Sequence, residues 1–242
     1  TLAEKDGAIA TLIAETGGQN AMIVDSTALP EQVVADVVAS AFTSAGQRCS
    51  ALRVLYVQDD IADRVCSLLE GAMREIVVGD PLEYKTDLGP VIDGQAQENL
   101  LQHIERISTD GKLIAQVKLP ANTQSGYFVP PTAVEISNIN QLEKEHFGPV
   151  LHLVRFKASD LSKVIDEINS TGFGLTLGIH SRNETTYRWI EKHARVGNCY
   201  INRDQVGAVV GVQPFGGQGL SGTGPKAGGP HYLFRFTQTQ FA

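Results

Sequence analysis

Apolar residues recur along this chain at two alternating periods, and that alternation predicts an α/β fold. Asn20 to Val24 reads as a short apolar strand. Leu29-Pro30-Glu31 then opens a helix in which Val33, Val34, Val37, Val38, Ala41 and Phe42 recur at helical spacing. Pro30 sits in its first turn, where the missing N–H has no partner to lose. Arg53 to Val57 predicts the next strand, and Asp59 to Ile76 a helix capped by Asp59 or Asp60. Gly79-Asp80-Pro81 ends that unit. The same periods give a helix over about 95–107 and strands over Lys112 to Val117, Val150 to Phe156, Leu175 to His180 and Gly197 to Ile201. Helices near Leu161 to Asn169 and Glu184 to His193 fall between the later strands. From Gln205 onward glycines crowd the chain into a loop-rich segment before a final strand, Tyr232 to Thr237. Strands separated by helices predict a doubly wound α/β domain with a largely parallel sheet. Thr1 to Ala14 reads as a helix and a strand belonging to something upstream, and no nucleotide-binding Gly-rich turn follows a first strand. The chain is therefore expected to be a piece of a longer protein.

Composition narrows the function. With 242 residues and 42% apolar content the chain can bury a substantial core. A net charge of −7, with scattered basic residues, argues against a nucleic-acid surface. No apolar stretch reaches the ~20 residues of a membrane span, and Thr1-Leu2-Ala3-Glu4-Lys5 carries no secretory h-region. Three cysteines without metal-like spacing read as free thiols in a reducing cytoplasm. Cys66 falls in the helical pattern Ile61-Val65-Leu68-Leu69 and Cys199 in a strand-like run, so both read as packing. His146 and His152 lack a third ligand, so no metal is expected. A Ser-His-Asp hydrolase is unsupported, since no Gly-x-Ser-x-Gly elbow occurs.

Cys49 is different, because Gly46-Gln47-Arg48-Cys49-Ser50-Ala51 makes a poor core but a good exposed turn. A cysteine attacks an aldehyde only as the thiolate, whose fraction backbone N–H groups or a nearby base would raise. Arg48 is a further candidate for that help. A thioester formed on the sulfur then needs an activated water, and Glu15 in Glu15-Thr16-Gly17-Gly18 is a carboxylate suited to be its base. Two more segments stand out: Glu145-His146-Phe147-Gly148-Pro149, and the run Pro214-Phe215-Gly216-Gly217 followed by Ser221-Gly222-Thr223-Gly224. The latter could meet an anion through its backbone N–H groups.

Together these four elements, in this order, resemble the C-terminal half of the aldehyde dehydrogenase superfamily, over nearly the whole chain from Thr11 to about Ala242. The resemblance implies a three-layer catalytic domain over 17–230, the tail end of a cofactor-binding domain over 1–16, and a C-terminal strand over 231–242. It makes Cys49 the nucleophile and Glu15 the base for deacylation, with NAD held by Glu145, Phe147 and Gly17. The likeness is closer to the proline-catabolic PutA branch, carried by Ile13 to Ser26, Val206 to Gly217 and Ser221 to Pro230. That branch implies oxidation of L-glutamate γ-semialdehyde, derived from pyrroline-5-carboxylate, to L-glutamate. Its α-carboxylate would be anchored by Ser50, Gly207 and Ala208, with Phe215 along its aliphatic part. FAD is implied only in a proline dehydrogenase part outside this chain. In the family the dinucleotide-binding domain, the amide completing the oxyanion hole and the oligomerisation hairpin lie upstream. The chain alone is therefore expected to be inactive, and the full-length protein to be a homo-oligomer. Three alternatives stay open: another semialdehyde such as succinate semialdehyde, a CoA-acylating variant, and a non-catalytic assembly module.

Overall fold

The computed structural model describes residues 4–7 and 9–237. Its strands are β1 (Ala21–Val24), β2 (Val54–Gln58), β3 (Lys112–Gln116), β4 (Thr132–Glu135), β5 (Val150–Phe156), β6 (Phe173–Gly174), β7 (Thr176–His180), β8 (Asn198–Ile201) and β9 (Gln218–Gly219). Helices α1 (Pro30–Phe42), α2 (Asp59–Arg74), α3 (Gly94–Asp110), α4 (Leu161–Ser170) and α5 (Glu184–His193) alternate with them. A sheet of order β3-β4-β5-β2-β1-β7-β8 forms the middle layer. Its pairings are parallel except β3 with β4.

Side-chain alternation along the strands makes two cores. Met22, Val24, Leu55, Val57, Leu151 and Leu153 face α1 and α2, whose Val33, Val37, Val65 and Leu69 are fully buried against them. Ala21, Ile23, Val54, Tyr56, Val154 and Phe156 face the other way, onto Val164, Ile165 and Ile168 of α4 and Ile190 of α5. Because these strands are sealed on both faces, they read as nearly continuous apolar runs.

Several sequence expectations change. The N-cap of α2 is Gln58, with no side-chain cap bond, and Asp59 and Asp60 lie inside the first turn. There they favour the helix by sitting at the positive end of its dipole. The sequence reading has no strand over Thr132–Glu135, where β4 runs parallel to β5 and antiparallel to β3. The final strand expected at 232–237 is instead a 3-10 turn, Leu233–Phe236, whose Leu233, Phe234 and Phe236 are exposed. Among the described residues that segment is paired with no strand, and 238–242 lie outside them. The helix and strand expected over 1–14 are likewise not seen among the described residues there, where Glu15 makes only an isolated bridge to Gly222. Among the described residues, no helix is long and apolar enough to cross a membrane.

Candidate active site

Parallel strands put their amino ends on one edge of the sheet. Glu15 to Gln19 leads into β1, Cys49 to Arg53 into β2 and Glu145 to Pro149 into β5, so topology alone gathers them at that edge. Open α/β sheets more often bind ligands at the carboxyl ends.

The Cys49 turn is made by backbone that few sequences tolerate. Ser44, Ala45 and Gly46 follow one another in the left-handed region, at φ 57°, 53° and 67°. Each non-glycine there costs of order 1–3 kcal/mol, held by surrounding contacts. Gly46 is required because a Cβ would overlap the Gly148 carbonyl. Buried Asn20 then fixes the turn: its Nδ2 donates to Cys49 O at 2.6 Å and Ala51 O at 2.9 Å, while its Oδ1 accepts from Thr176 N at 3.1 Å. Ser50 O accepts from Thr176 Oγ1 at 3.3 Å and Gln205 Nε2 at 3.4 Å.

Cys49 is half-buried, and burial pushes its thiol above the ordinary value. The N–H groups of Ser50 and Cys49 oppose that shift, whereas the Glu145 and Glu15 carboxylates add to it. Arg48 Nε donates to Ser44 Oγ at 3.2 Å, and Arg48 is not among the groups that shift the thiol. Both acids lie within electrostatic reach of the sulfur, so Cys49, Glu15 and Glu145 share one site.

Glu15 is exposed, and the Gly-rich loop holds its backbone. Thr16 N donates to Ser221 O at 3.2 Å and Thr223 N to Ala14 O at 3.0 Å. Glu145 is tucked against the Gly17-Gly18 turn, where a Cβ on Gly17 would overlap its Oε2 and the Gly18 N–H supports it. Burial raises the Glu145 carboxyl, and the Arg53 guanidinium opposes that rise. Oε1 of Glu145 is buried without a hydrogen-bond partner. Phe147 is 44% exposed, with the Arg53 guanidinium 5.3 Å from its ring centre.

The loop after β8 frames the site at three points. Gln205 reaches Ser50, a Cβ at Gly207 would come within 4.0 Å of Arg48 Nη1, and one at Gly216 within 3.6 Å of Glu15 Oε1. Gly207 is exposed at φ 75°, Ala208 is half-buried, and Phe215 is fixed by paired backbone bonds to Ala227 at 3.0 and 2.8 Å. Ser50 is 5% exposed, tighter than the sequence suggests.

Behind the turn lie Arg53 and His103, which sequence reasoning missed, with His146 and His152, which it weighed only as metal ligands. Arg53 is 1% exposed and burial lowers it to about 10. His152 Nδ1 lies 2.9 Å from Arg53 O, His152 Nε2 2.8 Å from His103 Nε2, and His103 Nδ1 3.3 Å from Arg106 Nη2. A carbonyl only accepts and a guanidinium only donates, so protons sit on His152 Nδ1 and His103 Nε2, and both rings are neutral. His146 stacks on His103 at 3.3 Å. Among the described residues, no group of three or more His, Cys, Asp or Glu side chains is arranged to hold a metal ion. The available signal was a polar residue heading an apolar strand: Asn20 before β1, Arg53 before β2, Thr176 opening β7.

The model of the aldehyde dehydrogenase family matches residues 1–242. The chain belongs to that family. It is 54% identical over 234 residues to the bifunctional protein PutA of Klebsiella aerogenes, covering 95% of this chain and 18% of that protein. A mutant of Bradyrhizobium japonicum proline utilization A superposes with a TM-score of 0.93 at 56% identity, over 97% of this chain and 24% of that one. The 1-pyrroline-5-carboxylate dehydrogenase from Thermus with bound NAD superposes with a TM-score of 0.85 at 37% identity, over 93% and 43%. The chain thus spans about a fifth of the PutA relative and under half of the Thermus enzyme.

Proposed function

We propose that this chain supplies the catalytic residues of an NAD-dependent dehydrogenase that oxidises L-glutamate γ-semialdehyde, from pyrroline-5-carboxylate, to L-glutamate in proline catabolism. One observation carries the reading: a main-chain-supported cysteine within reach of two carboxylates, in a chain 54% identical to PutA. Cys49 gives its thiol proton to solvent and attacks the aldehyde carbon, forming an S–C bond as the carbonyl π bond opens to an oxyanion that the Cys49 N–H can hold. Loss of hydride converts that adduct to a thioester. Glu15 takes a proton from water, which attacks the thioester and releases L-glutamate and the thiol. NAD, when bound, supplies the hydride acceptor. Glu145 Oε1, which accepts no hydrogen bond and has only the Arg53 guanidinium 3.6 Å away, fits ribose hydroxyls, the bare Cα of Gly17 leaves room for that carboxylate, and exposed Phe147 offers a face to the nicotinamide. Ser50, Gly207 and Ala208 anchor the α-carboxylate and Phe215 flanks the carbon chain.

In this reading 1–16 closes a cofactor-binding domain, 17–230 is the catalytic domain, and the rest of a longer cytoplasmic, homo-oligomeric polypeptide supplies the dinucleotide fold and an FAD-bearing proline dehydrogenase. The 242-residue chain alone does not turn over. The test is NADH formation by this chain joined to an upstream dinucleotide-binding half, with glutamate and succinate semialdehydes in parallel. Preference for glutamate semialdehyde is expected. Equal rates would remove the substrate assignment, and no turnover with either would favour an assembly module.

A further inference from the structure

The reaction scheme leaves the most deeply buried cation near the site without a task. Arg53 opens β2, and one guanidinium fork spans two separate segments: Nη2 donates to Arg48 O at 3.2 Å and Nη1 to Gly148 O at 3.1 Å. Nη2 also lies 3.6 Å from Glu145 Oε1. Arg53 thus ties the residue before Cys49 to the turn bearing Glu145 and Phe147. A buried guanidinium is unfavourable unless paired, and an apolar side chain of the same volume often serves stability as well. Packing alone therefore does not account for it.

We propose that Arg53 is a positioning residue that holds the Cys49 turn and the Glu145 turn at a fixed separation and keeps Glu145 ionised to accept hydroxyl donors. The inference rests on the dehydrogenase reading for what Glu145 binds, but gives a role to a residue that reading does not use. Arg53 is itself held from behind. Its carbonyl receives the His152 Nδ1–H, and His152 is backed by His103 and Arg106. The His146 ring, between Glu145 and Phe147 in the chain, stacks on His103. The Glu145 turn is clamped between the guanidinium and an imidazole pair. A planar fork can bridge two carbonyls and a carboxylate, whereas a lysine ammonium meets one point at a time. The charged and titratable groups packed around this turn are Arg53 and Cys49 on one side and His103, His146 and His152 on the other, with Lys144 and Arg106 beyond the imidazoles.

The experiment compares Arg53→Met and Arg53→Lys with the unchanged protein in the parent polypeptide. NAD affinity is measured by calorimetry from about pH 6 to about pH 9, beside steady-state constants and far-UV circular dichroism. Arg53→Met should bind NAD about 10-fold or more weakly near neutrality, with KM for NAD rising alike. That loss should shrink as pH rises, because an unpaired buried Glu145 gives up its proton only at higher pH. Arg53→Lys should abolish this pH dependence by returning the charge, yet stay roughly 5-fold weaker because it cannot span both carbonyls. If Arg53→Met does not fold, the lysine variant decides alone: affinity within about twofold of the unchanged protein overturns the inference. So does a folded Arg53→Met that loses kcat while its NAD affinity and pH profile stay put. An unchanged protein that neither binds NAD nor oxidises either semialdehyde removes the dehydrogenase reading first, and this inference with it.

Discussion

At Cys49 two requirements compete: the sulfur must be accessible to an aldehyde, yet its surroundings disfavour the thiolate. Burial and two nearby carboxylates raise its pKa, against two backbone N–H groups. Removing one carboxylate separates chemistry from electrostatics. Glu15→Gln should lower the Cys49 pKa and speed its alkylation by iodoacetamide near pH 8, while cutting turnover of the parent enzyme by about 10²–10⁴-fold. An unchanged alkylation rate in that variant would mean that Glu15 does not act on the sulfur. Cys199, pushed by burial to about 12, should react far more slowly than Cys49 in the same experiment. Cys66 and Cys199 were legible as packing because each sits in a periodic apolar run. Arg53 was not, because a charged residue at a strand end ordinarily points to solvent.

At the scale of elements, the Cys49 turn depends on bonds from β1 and β7. Asn20 answers two carbonyls of the turn and one amide of β7. Asn20→Ala strands all three in a buried setting, where each costs about 1 kcal/mol or more. Urea unfolding should show a loss of about 3 kcal/mol. An unchanged midpoint would show that the turn is held by its own strained backbone or by Arg53. Strand and helix periods were readable to within a few residues where the element is sealed on both faces, as for β1, β2, β5 and β7. β4 was not, since four residues after Pro130-Pro131 carry too little alternation to show a period. Nor did Tyr232 to Thr237 become a strand: a β-favouring stretch needs an edge to pair with, and sequence does not show edges.

For the whole molecule, buried imidazoles govern acid stability. His103, His146, His152 and His180 have native values of about 2, 3, 4 and 4, mainly because burial penalises the charged ring. All lie below the unfolded value of about 6.5. The unfolded chain therefore takes up protons that the native state refuses, and stability falls as pH drops from about 6.5 toward 4. Each ring contributes up to about 1.4 kcal/mol per pH unit. Glu145 and Asp36, raised by burial, oppose this loss but are fewer. Melting temperatures that stay flat between about pH 7 and about pH 5 would contradict the neutral-imidazole assignment.

Local patterns of polarity determined the α/β class and the sealed strands, because side-chain period and turn chemistry act between near neighbours in the chain, and the Cys49, Glu15 and Glu145 motifs were legible through their resemblance to the aldehyde dehydrogenase family. Only the tertiary structure decided that these motifs meet at the amino edge of a parallel sheet. It alone also decided that Arg53 is buried beneath them and that three histidines from α3, the Glu145 turn and β5 stand behind it. Such contacts join residues scores of positions apart, and their partners are set by how strands pair across the sheet, which no local period encodes.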